Sequence, residues 1–222
     1  MLELSLNFSS NILTVVYYYT LVSIYNKIMA KQAQRRSTTK AAIVNTARDL
    51  FEKQGFDETS ISQIVTQANV AKGTFYLYFK TKIDVLLDIS HTDLVNKLDN
   101  TKMALKQNPY ALLVLDQFLV NLCCWYEAYA GTAEALVLAS FKTANLDDTT
   151  LPVSSADIIE LIIAHAIKQG SIRSDLAARH LAKLLNSVIT VAVLEWSQQP
   201  QAEGELFKQI KPYVDMIIGN VR

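Results

Sequence analysis

The chain has 222 residues and a formal net charge of zero, and half of its residues are hydrophobic, with only 6 glycines and 4 prolines. This composition is typical of a helical protein with a large core, and the length allows one large or two modest domains. The two cysteines, Cys123 and Cys124, are adjacent, which excludes a disulfide framework and the usual zinc-ligand spacings. We therefore expect an all-α protein of a reducing cytoplasm, with no metal and no cofactor.

The zero net charge hides an asymmetry along the chain. Between residues 31 and 82, nine basic and four acidic side chains give a net charge of +5. From residue 83 onward, 11 basic and 16 acidic side chains give −5. A basic front and an acidic back indicate one polyanion-binding module carried on a body that does not bind polyanions.

Residues 1–30 form an atypical N-terminal extension, and residues 4–26 within it contain no charged side chain. One interpretation is a membrane anchor, since a span needs about 20 apolar residues. Another is a genuine extra helix or disordered arm. The third, which we favour because Asn, Ser and Thr interrupt the apolar run, is a start codon assigned too far upstream, with Met29 as the natural start.

The first predicted helix after this extension runs from about Thr38 to Gln54. Its apolar residues recur at helical spacing, at Ile43, Ala47, Leu50 and Phe51. Gly55 is a plausible residue to end this helix, because glycine accepts the left-handed backbone found there, and Phe56 can fold back onto the core.

A second helix is predicted to begin after Thr59 or Ser60, since either side chain can accept a backbone N–H bond at a helix start. Its buried stripe is Ile61, Ile64, Val65 and Ala68. The sequence QANV, residues 67–70, then makes a turn in which the asparagine tolerates a left-handed backbone.

A third helix, about Ala71 to Phe79, places Phe75 and Phe79 on one face, where we expect both to be core residues. Gly73 lies near its start, although glycine costs about 1 kcal/mol relative to alanine inside a helix. Such a glycine makes sense where the backbone must approach a groove wall closely. Residues 60–79 thus form a helix-turn-helix motif, the arrangement with which many proteins read DNA.

The other side of the third helix carries side chains suited to DNA. Lys72 can reach guanine or phosphate, and Thr74 can meet a thymine methyl group or a phosphate. The hydroxyl groups of Tyr76 and Tyr78 can donate to phosphates. Lys82 begins the next helix, where its charge and the helix N-terminus can hold the same phosphate.

The stretch ARDLFEKQGFDETSISQIVTQANVAKGTFYLYFKTKIDVLLDI closely resembles the N-terminal domain of TetR-family transcriptional regulators, over Thr38 to about Leu98. The resemblance implies a DNA-binding domain at residues 37–97 and an effector-binding and dimerisation domain at residues 98–222, both helical. In relatives Tyr78 often corresponds to histidine. The resemblance also implies DNA-contact roles for eight residues: Thr59, Ser60, Lys72, Gly73, Thr74, Tyr76, Tyr78 and Lys82.

The body is predicted to consist of helices alone. A long helix from Lys82 to about Lys106 links the two domains in the family and is the natural transmitter between them. The next helix, Tyr110 to Ala130, is apolar on most sides and should be buried in a bundle. Our candidates for the lining of an effector cavity are Cys123, Trp125, Tyr126, Tyr129 and Phe141. Few charges fall in these helices, which favours a lipophilic or aromatic effector.

The last predicted elements are a helix pair, Ser155–Gln169 and Leu176–Trp196, and a helix over Glu203–Asn220 that Pro212 interrupts. Ser174 or Asp175 is expected to cap the second helix of the pair. The apolar stripes of the pair are wider than one contact within the chain requires. The resemblance implies that such helices pack with their two-fold mates in a homodimer, which matches a palindromic operator.

These patterns predict a ligand-responsive transcriptional regulator, a repressor that a small molecule releases from its operator. A membrane-tethered regulator using residues 4–26 and an activator of the same family are the alternatives. The body contains no G-x-S-x-G, H-E-x-x-H, P-loop or dinucleotide fingerprint, so we do not expect an enzyme. The scattered histidines, His91, His165 and His180, are interpreted as surface or hydrogen-bonded residues rather than metal ligands.

Overall fold

The structure, a computed structural model, describes residues 2–143, 153–172, 175, 177–199, 204–219 and 221, with side chains described from residue 21. The described residues form helices and turns and no strand, which confirms the predicted all-α class. The helices are α1 (Leu2–Gln54), α2 (Ile61–Gln67), α3 (Lys72–Tyr76), α4 (Lys82–Gln107), α5 (Ala111–Ala128), α6 (Ala133–Thr143), α7 (Ser155–Lys168), α8 (Ala178–Ser197) and α9 (Glu205–Gly219), with a 3₁₀ turn at Ala130–Thr132.

Helix α1 begins far earlier than the predicted Thr38, at Leu2. No proline or glycine occurs before Gly55, so nothing in the sequence interrupts the helical hydrogen bonds. The helix ends as predicted: Gly55 has φ +86°, and its N–H donates to the carbonyl of Phe51 at 3.0 Å. From Leu21 to Thr38 every side chain is exposed, so this part of α1 does not contribute to the core.

Helices α1 to α4 enclose the N-terminal core. Phe75 and Phe79 are buried there, which confirms their predicted core role. Leu136 of α6 belongs to the same core, and Trp125 and Tyr129 of α5 pack against it. The DNA-binding unit is thus in direct contact with the body that follows it, which bears on how a signal can pass between them.

Helix α7 is the centre of the C-terminal core, and this corrects the predicted role of its apolar stripe. Ile158, Ile159, Ile162 and Ile163 are fully buried inside the chain, because α8 and α5 pack on them. The next two helices, by contrast, carry large exposed apolar side chains, at Leu184, Val191, Tyr213 and Met216. The prediction of a buried apolar face on α7 was correct, but the helices that cover this face belong to the same chain.

Two predictions about the last helices need correction. Helix α8 begins at Ala178 after an N-cap at Ala177 that makes no side-chain hydrogen bond, so Asp175 does not cap it, and Ser174 lies outside the described residues. Helix α9 runs through Pro212 without a break.

Helix α5 is long and apolar enough to cross a membrane by length and composition, and many of its side chains lie in the C-terminal core.

Candidate nucleic-acid interface and adjoining cavity

Two local devices fix the helix-turn-helix. Ser60 caps α2 in a reciprocal capping box, accepting the N–H of Gln63 at 3.2 Å while its own N–H donates to Gln63 Oε1 at 2.7 Å. Asn69 adopts φ +54° in the turn, and the N–H of Val70 donates to the carbonyl of Val65 at 3.0 Å. The predicted turn chemistry is therefore present, and it sets the angle between α2 and α3.

Helix α3 presents an exposed surface made mostly of residues singled out from the sequence. Lys72, Gly73 and Tyr76 are exposed, while Thr74 and Tyr78 are half-buried. A methyl group built on Gly73 would meet no atom within 4 Å. Packing within the chain therefore does not require a glycine at this position.

Leu77 is a surface residue that the sequence reasoning missed. Its side chain is 81% exposed, although leucine is normally a core residue. The helical turn that starts at Phe75 extends past the end of α3, since the N–H groups of Tyr78 and Phe79 both donate to the Phe75 carbonyl. The available signal was the position of Leu77: Phe75 and Phe79 occupy the buried face of this segment, so a leucine between Tyr76 and Tyr78 lies on the other side.

The side chain of Thr59, for which the resemblance implied a DNA contact, is buried within the chain. It is only 1% exposed, and its hydroxyl donates to the carbonyl of Gly55 at 2.7 Å. Gln54 Nε2 donates to the same hydroxyl at 3.2 Å. The hydroxyl is thus held between the end of α1 and the start of α2, where it positions the α1–α2 turn.

Lys82 is also engaged within the chain. Its ammonium group donates to the backbone carbonyls of Thr59 at 2.7 Å, of Asp57 at 3.3 Å and of Phe56. It lies 4.1 Å from the centroid of the Phe56 ring, in a cation–π arrangement. Burial lowers the pKa of this ammonium group. In this geometry Lys82 ties the first turn of α4 to the α1–α2 turn.

Two ion pairs join α1 to α4. Arg48 holds Asp93 with two hydrogen bonds, of 2.7 and 3.1 Å, and the hydrogen bond to Asp93 raises the pKa of the guanidinium. Lys40 pairs with Asp88, and its ammonium lies 5.6 Å from the centroid of the Phe79 ring. A bidentate arginine–carboxylate pair has a narrow range of allowed geometries, so α1 follows α4 closely.

A cavity of about 310 Å³ lies between α4, α5, α6, α7 and α8. Three of the five predicted lining residues, Trp125, Tyr126 and Phe141, lie in its wall. Tyr129 does not, because its ring packs on that of Trp125 at 5.0 Å on the side facing the N-terminal core. Cys123 points into the C-terminal core, where burial raises the pKa of its thiol to about 12.

The sequence reasoning missed the polar part of the wall. Ser155, Asn186 and Thr190 line it from α7 and α8, and His91 lines it from α4. His91 was interpreted as a surface or hydrogen-bonded residue, yet it is half-buried and burial lowers its pKa. Its spacing from Leu87 and Leu94, four and three residues away, was the available signal, since it places all three on one face of α4. No metal-binding cluster occurs among the described residues.

Known proteins share this arrangement. Residues 43–89 match the bacterial regulatory proteins of the tetR family. The fatty acid metabolism regulator protein of Bacillus subtilis (strain 168) is 22% identical over 165 residues, covering 72% of this chain and 84% of the relative. The HTH-type transcriptional regulator AcrR of Shigella flexneri is 25% identical over 201 residues, covering 85% of this chain and 91% of AcrR.

Among solved structures, FadR of Thermus thermophilus, a repressor crystallised with lauroyl-CoA, has the same fold. It matches with a TM-score of 0.59 and 23% sequence identity, covering 80% of this chain and 92% of FadR. All three of these proteins are regulators by name, and FadR is a transcriptional repressor. The capped helix-turn-helix and the match over residues 43–89 identify a DNA-binding domain of the tetR family, and the helical body has the fold of FadR, a TetR-family repressor.

Proposed function

We propose that the protein is a homodimeric cytoplasmic repressor that binds a palindromic operator and leaves it when a small molecule occupies the cavity. One observation carries the proposal: the same two turns of α4 line the cavity and form ion pairs with the DNA-binding domain. Leu87, His91 and Leu94 line the cavity, while Asp88 and Asp93 hold the ion pairs to α1. A displacement of α4 by an occupant is therefore passed to α1 and to the helices packed on it.

The proposed recognition helix is α3, because a short exposed helix can enter the major groove and reach base edges there. Ser60 lies at the start of α2, where it can meet the DNA backbone. Leu77 joins the contact set on the ground of its exposure, and an apolar side chain suits a thymine methyl group. The proposed contact residues are Ser60, Lys72, Gly73, Thr74, Tyr76, Leu77 and Tyr78. Thr59 and Lys82 instead position them.

The proposed dimer surface is the outer face of α8 and α9. These two helices pack on each other, and each carries large exposed apolar side chains: Leu184 and Val191 on α8, Tyr213 and Met216 on α9. A two-fold interface brings the same surface together twice, so one apolar patch is enough to form it. Pairing of these faces would set the distance between the two copies of α3.

The response to an effector follows as a population shift. A ligand moves an equilibrium only by binding one conformation better than the other. The ion pairs of Asp88 and Asp93 transmit the position of α4, so the two conformations would differ in the distance between the recognition helices. Half-sites should lie about one helical turn of DNA apart or slightly more. FadR of T. thermophilus, a repressor with a bound acyl-CoA, supports a ligand-responsive mode of action.

The test is selection of a binding site from randomised duplex DNA by the purified full-length chain, followed by fluorescence anisotropy on the selected sequence. We expect a palindrome, and we expect Tyr76→Ala to weaken binding by about tenfold or more, the usual effect of losing 1–3 kcal/mol of contact. Tyr110→Ala is the matched control, because Tyr110 is an exposed tyrosine outside the DNA-binding domain. Failure to select any palindrome, or equal affinities for the two variants, would contradict the proposal.

A further inference from the structure

The cavity has one aromatic and aliphatic wall. Trp125 and Tyr126 of α5 meet Leu136, Val137 and Phe141 of α6 around it. Its volume of about 310 Å³ is at the small end of the range for ligand sites in proteins, which runs from about 300 to 1,000 Å³. This part of the site suits a flat, compact, apolar body such as an aromatic ring.

The wall formed by α7 and α8 is polar and is built by hydrogen bonds within the chain. Ser155 donates its hydroxyl to Asn186 Oδ1 at 2.7 Å, and Thr190 donates its hydroxyl to the backbone carbonyl of Asn186 at 2.7 Å. The bond from Ser155 orients the Asn186 side-chain amide through its oxygen. Its N–H groups have no partner among the described residues, so they are left to donate to an occupant.

The wall formed by α4 supplies a second polar group. His91 is half-buried and has no hydrogen-bond partner among the described residues. The charged groups around it are Asp88 on its own helix and Lys40 on α1, which are paired with each other. Burial lowers its pKa, so near pH 7 the ring is neutral, with one nitrogen as donor and the other as acceptor.

Among the residues that the structure describes, none that lines this cavity is a lysine, arginine, aspartate or glutamate. A carboxylate or phosphate in the cavity would lose its water without gaining a counter-charge, which is strongly unfavourable. This argues against a coenzyme A thioester, whose several phosphate charges need cationic partners. It also argues against a fatty acid as the occupant, because its carboxylate would be buried unpaired.

We propose that this cavity binds a compact, uncharged aromatic molecule that carries a hydrogen-bonding group at each end, one for His91 and one for Asn186. The inference rests on the proposed function, since it names the chemical class of the effector. A ligand of this kind joins α4 to α8 through its own body. It would thereby hold the part of α4 that carries Asp88 and Asp93 against the dimer-forming half of the chain, which gives the ligand a differential effect on the two conformations.

The experiment is isothermal titration calorimetry of the full-length protein with three probes. Methyl 4-hydroxybenzoate is uncharged and has a polar group at each end of one ring. Its acid, 4-hydroxybenzoate, keeps the ring and adds a negative charge, while lauroyl-CoA represents the acyl-CoA class. We expect the ester to bind at least tenfold more tightly than the acid, and the acyl-CoA to show no binding in the cavity.

Variants locate the bound ester. Asn186→Leu keeps the size of the side chain and removes its N–H donors, so we expect a loss of about tenfold or more in affinity for the ester. Asn121→Leu makes the same change on the exposed side of α5 and should leave affinity unchanged. Circular dichroism shows whether each variant is folded, and the three-probe comparison on the unmodified protein stands even if Asn186→Leu is not.

The outcomes separate this inference from the proposed function, because operator binding is measured on the same protein. Tighter binding of the acid or of lauroyl-CoA, no binding of the ester at its solubility limit, or an Asn186→Leu variant with unchanged affinity would overturn the inference while operator binding stays intact. Loss of specific operator binding by the unmodified chain would instead overturn the proposed function, whatever the cavity binds.

Discussion

The ammonium group of Lys82 donates to the carbonyl of Thr59 at 2.7 Å, across a sequence separation of 23 residues. This bond connects the first turn of α4 to the residue that precedes the cap of α2. Because α2 and α3 form one packed unit, the orientation of the recognition helix on α4 depends on a contact made by backbone and one lysine. Lys82 therefore helps to position α2 and α3 relative to α4 through contacts within the chain.

Replacing Lys82 separates this positioning role from a direct phosphate contact. Lys82→Arg keeps the charge and suits phosphate binding, but the planar guanidinium does not fit the three carbonyls that surround a compact ammonium. We expect Lys82→Arg and Lys82→Met to destabilise the protein alike, by about 1–2 kcal/mol, the usual effect of losing hydrogen bonds to a charged group. That loss should lower the melting temperature by about 2–8 °C in a chain of this size.

The measurement is thermal unfolding together with operator affinity at two salt concentrations. A positioning role predicts reduced stability in both variants and a salt dependence unchanged within the error of the slope. A phosphate contact predicts that the arginine variant behaves as the unmodified protein, and that the methionine variant loses close to one unit of salt slope.

Thr59 allows a similar separation at a single hydroxyl. Thr59→Val keeps the shape of the side chain and removes the donor to Gly55. We expect a loss of about 1–2 kcal/mol in the free energy of unfolding, since the Gly55 carbonyl and the Gln54 amide both lose a partner. Thr59→Ser, which keeps the hydroxyl, is the control and should lose less. Weaker operator binding by Thr59→Val at unchanged stability would point instead to a DNA contact.

The Arg48–Asp93 pair should matter for transmission as well as for stability. Both side chains are half-buried, and the guanidinium donates two hydrogen bonds to the carboxylate, of 2.7 and 3.1 Å. A double-mutant cycle with Arg48→Met and Asp93→Asn should give a coupling energy of about 1–2 kcal/mol, above that of exposed pairs. Either change should also reduce the effect of a cavity ligand on operator affinity. A coupling energy below about 0.3 kcal/mol would show that the pair does not hold α1 to α4.

Stability should fall in mild acid because of His91. Burial lowers the pKa of its imidazole in the folded chain, while the unfolded chain keeps the ordinary value near 6.5. The unfolded state therefore binds more protons between these two values, so the stability from neutral His91 is present above pH 6.5 and is lost as the pH falls through the folded pKa. Urea midpoints from pH 7 to pH 5 should fall more steeply for the unmodified protein than for His91→Gln. Parallel curves would contradict the assignment.

The sequence was most informative where structure is decided by neighbouring residues. Gly55, Ser60 and Asn69 each act within a few residues of their own position, through a left-handed backbone or a cap. Gly55 and Asn69 were predicted correctly, and Ser60 was one of the two caps predicted for α2. The helical extent of α1 was underestimated because the absence of a breaker is a weaker signal than an apolar stripe.

Contacts between distant residues were beyond the reach of the pattern. The carbonyls that accept from Lys82 belong to the α1–α2 turn, more than twenty residues earlier in the chain, and backbone atoms have no sequence signature. The polar wall of the cavity joins His91 to Asn186, nearly a hundred residues apart, so neither could be assigned alone. The wide stripe of α7 was visible, but a stripe shows only that a face is buried and not which helix covers it.

The dimer surface provides the last prediction, because two leucines of equal exposure differ in their proposed role. Leu184 on α8 and Leu138 on α6 are each 48% exposed. Leu184→Glu would place two carboxylates in a two-fold interface, where like charges without counter-ions cost several kcal/mol. We therefore expect Leu184→Glu to be monomeric at micromolar concentration in sedimentation experiments and to bind the palindrome much more weakly than the unmodified protein. Leu138→Glu should remain dimeric, since α6 lies outside the proposed surface. A dimeric Leu184→Glu protein, or a monomeric Leu138→Glu protein, would move the interface away from α8 and α9.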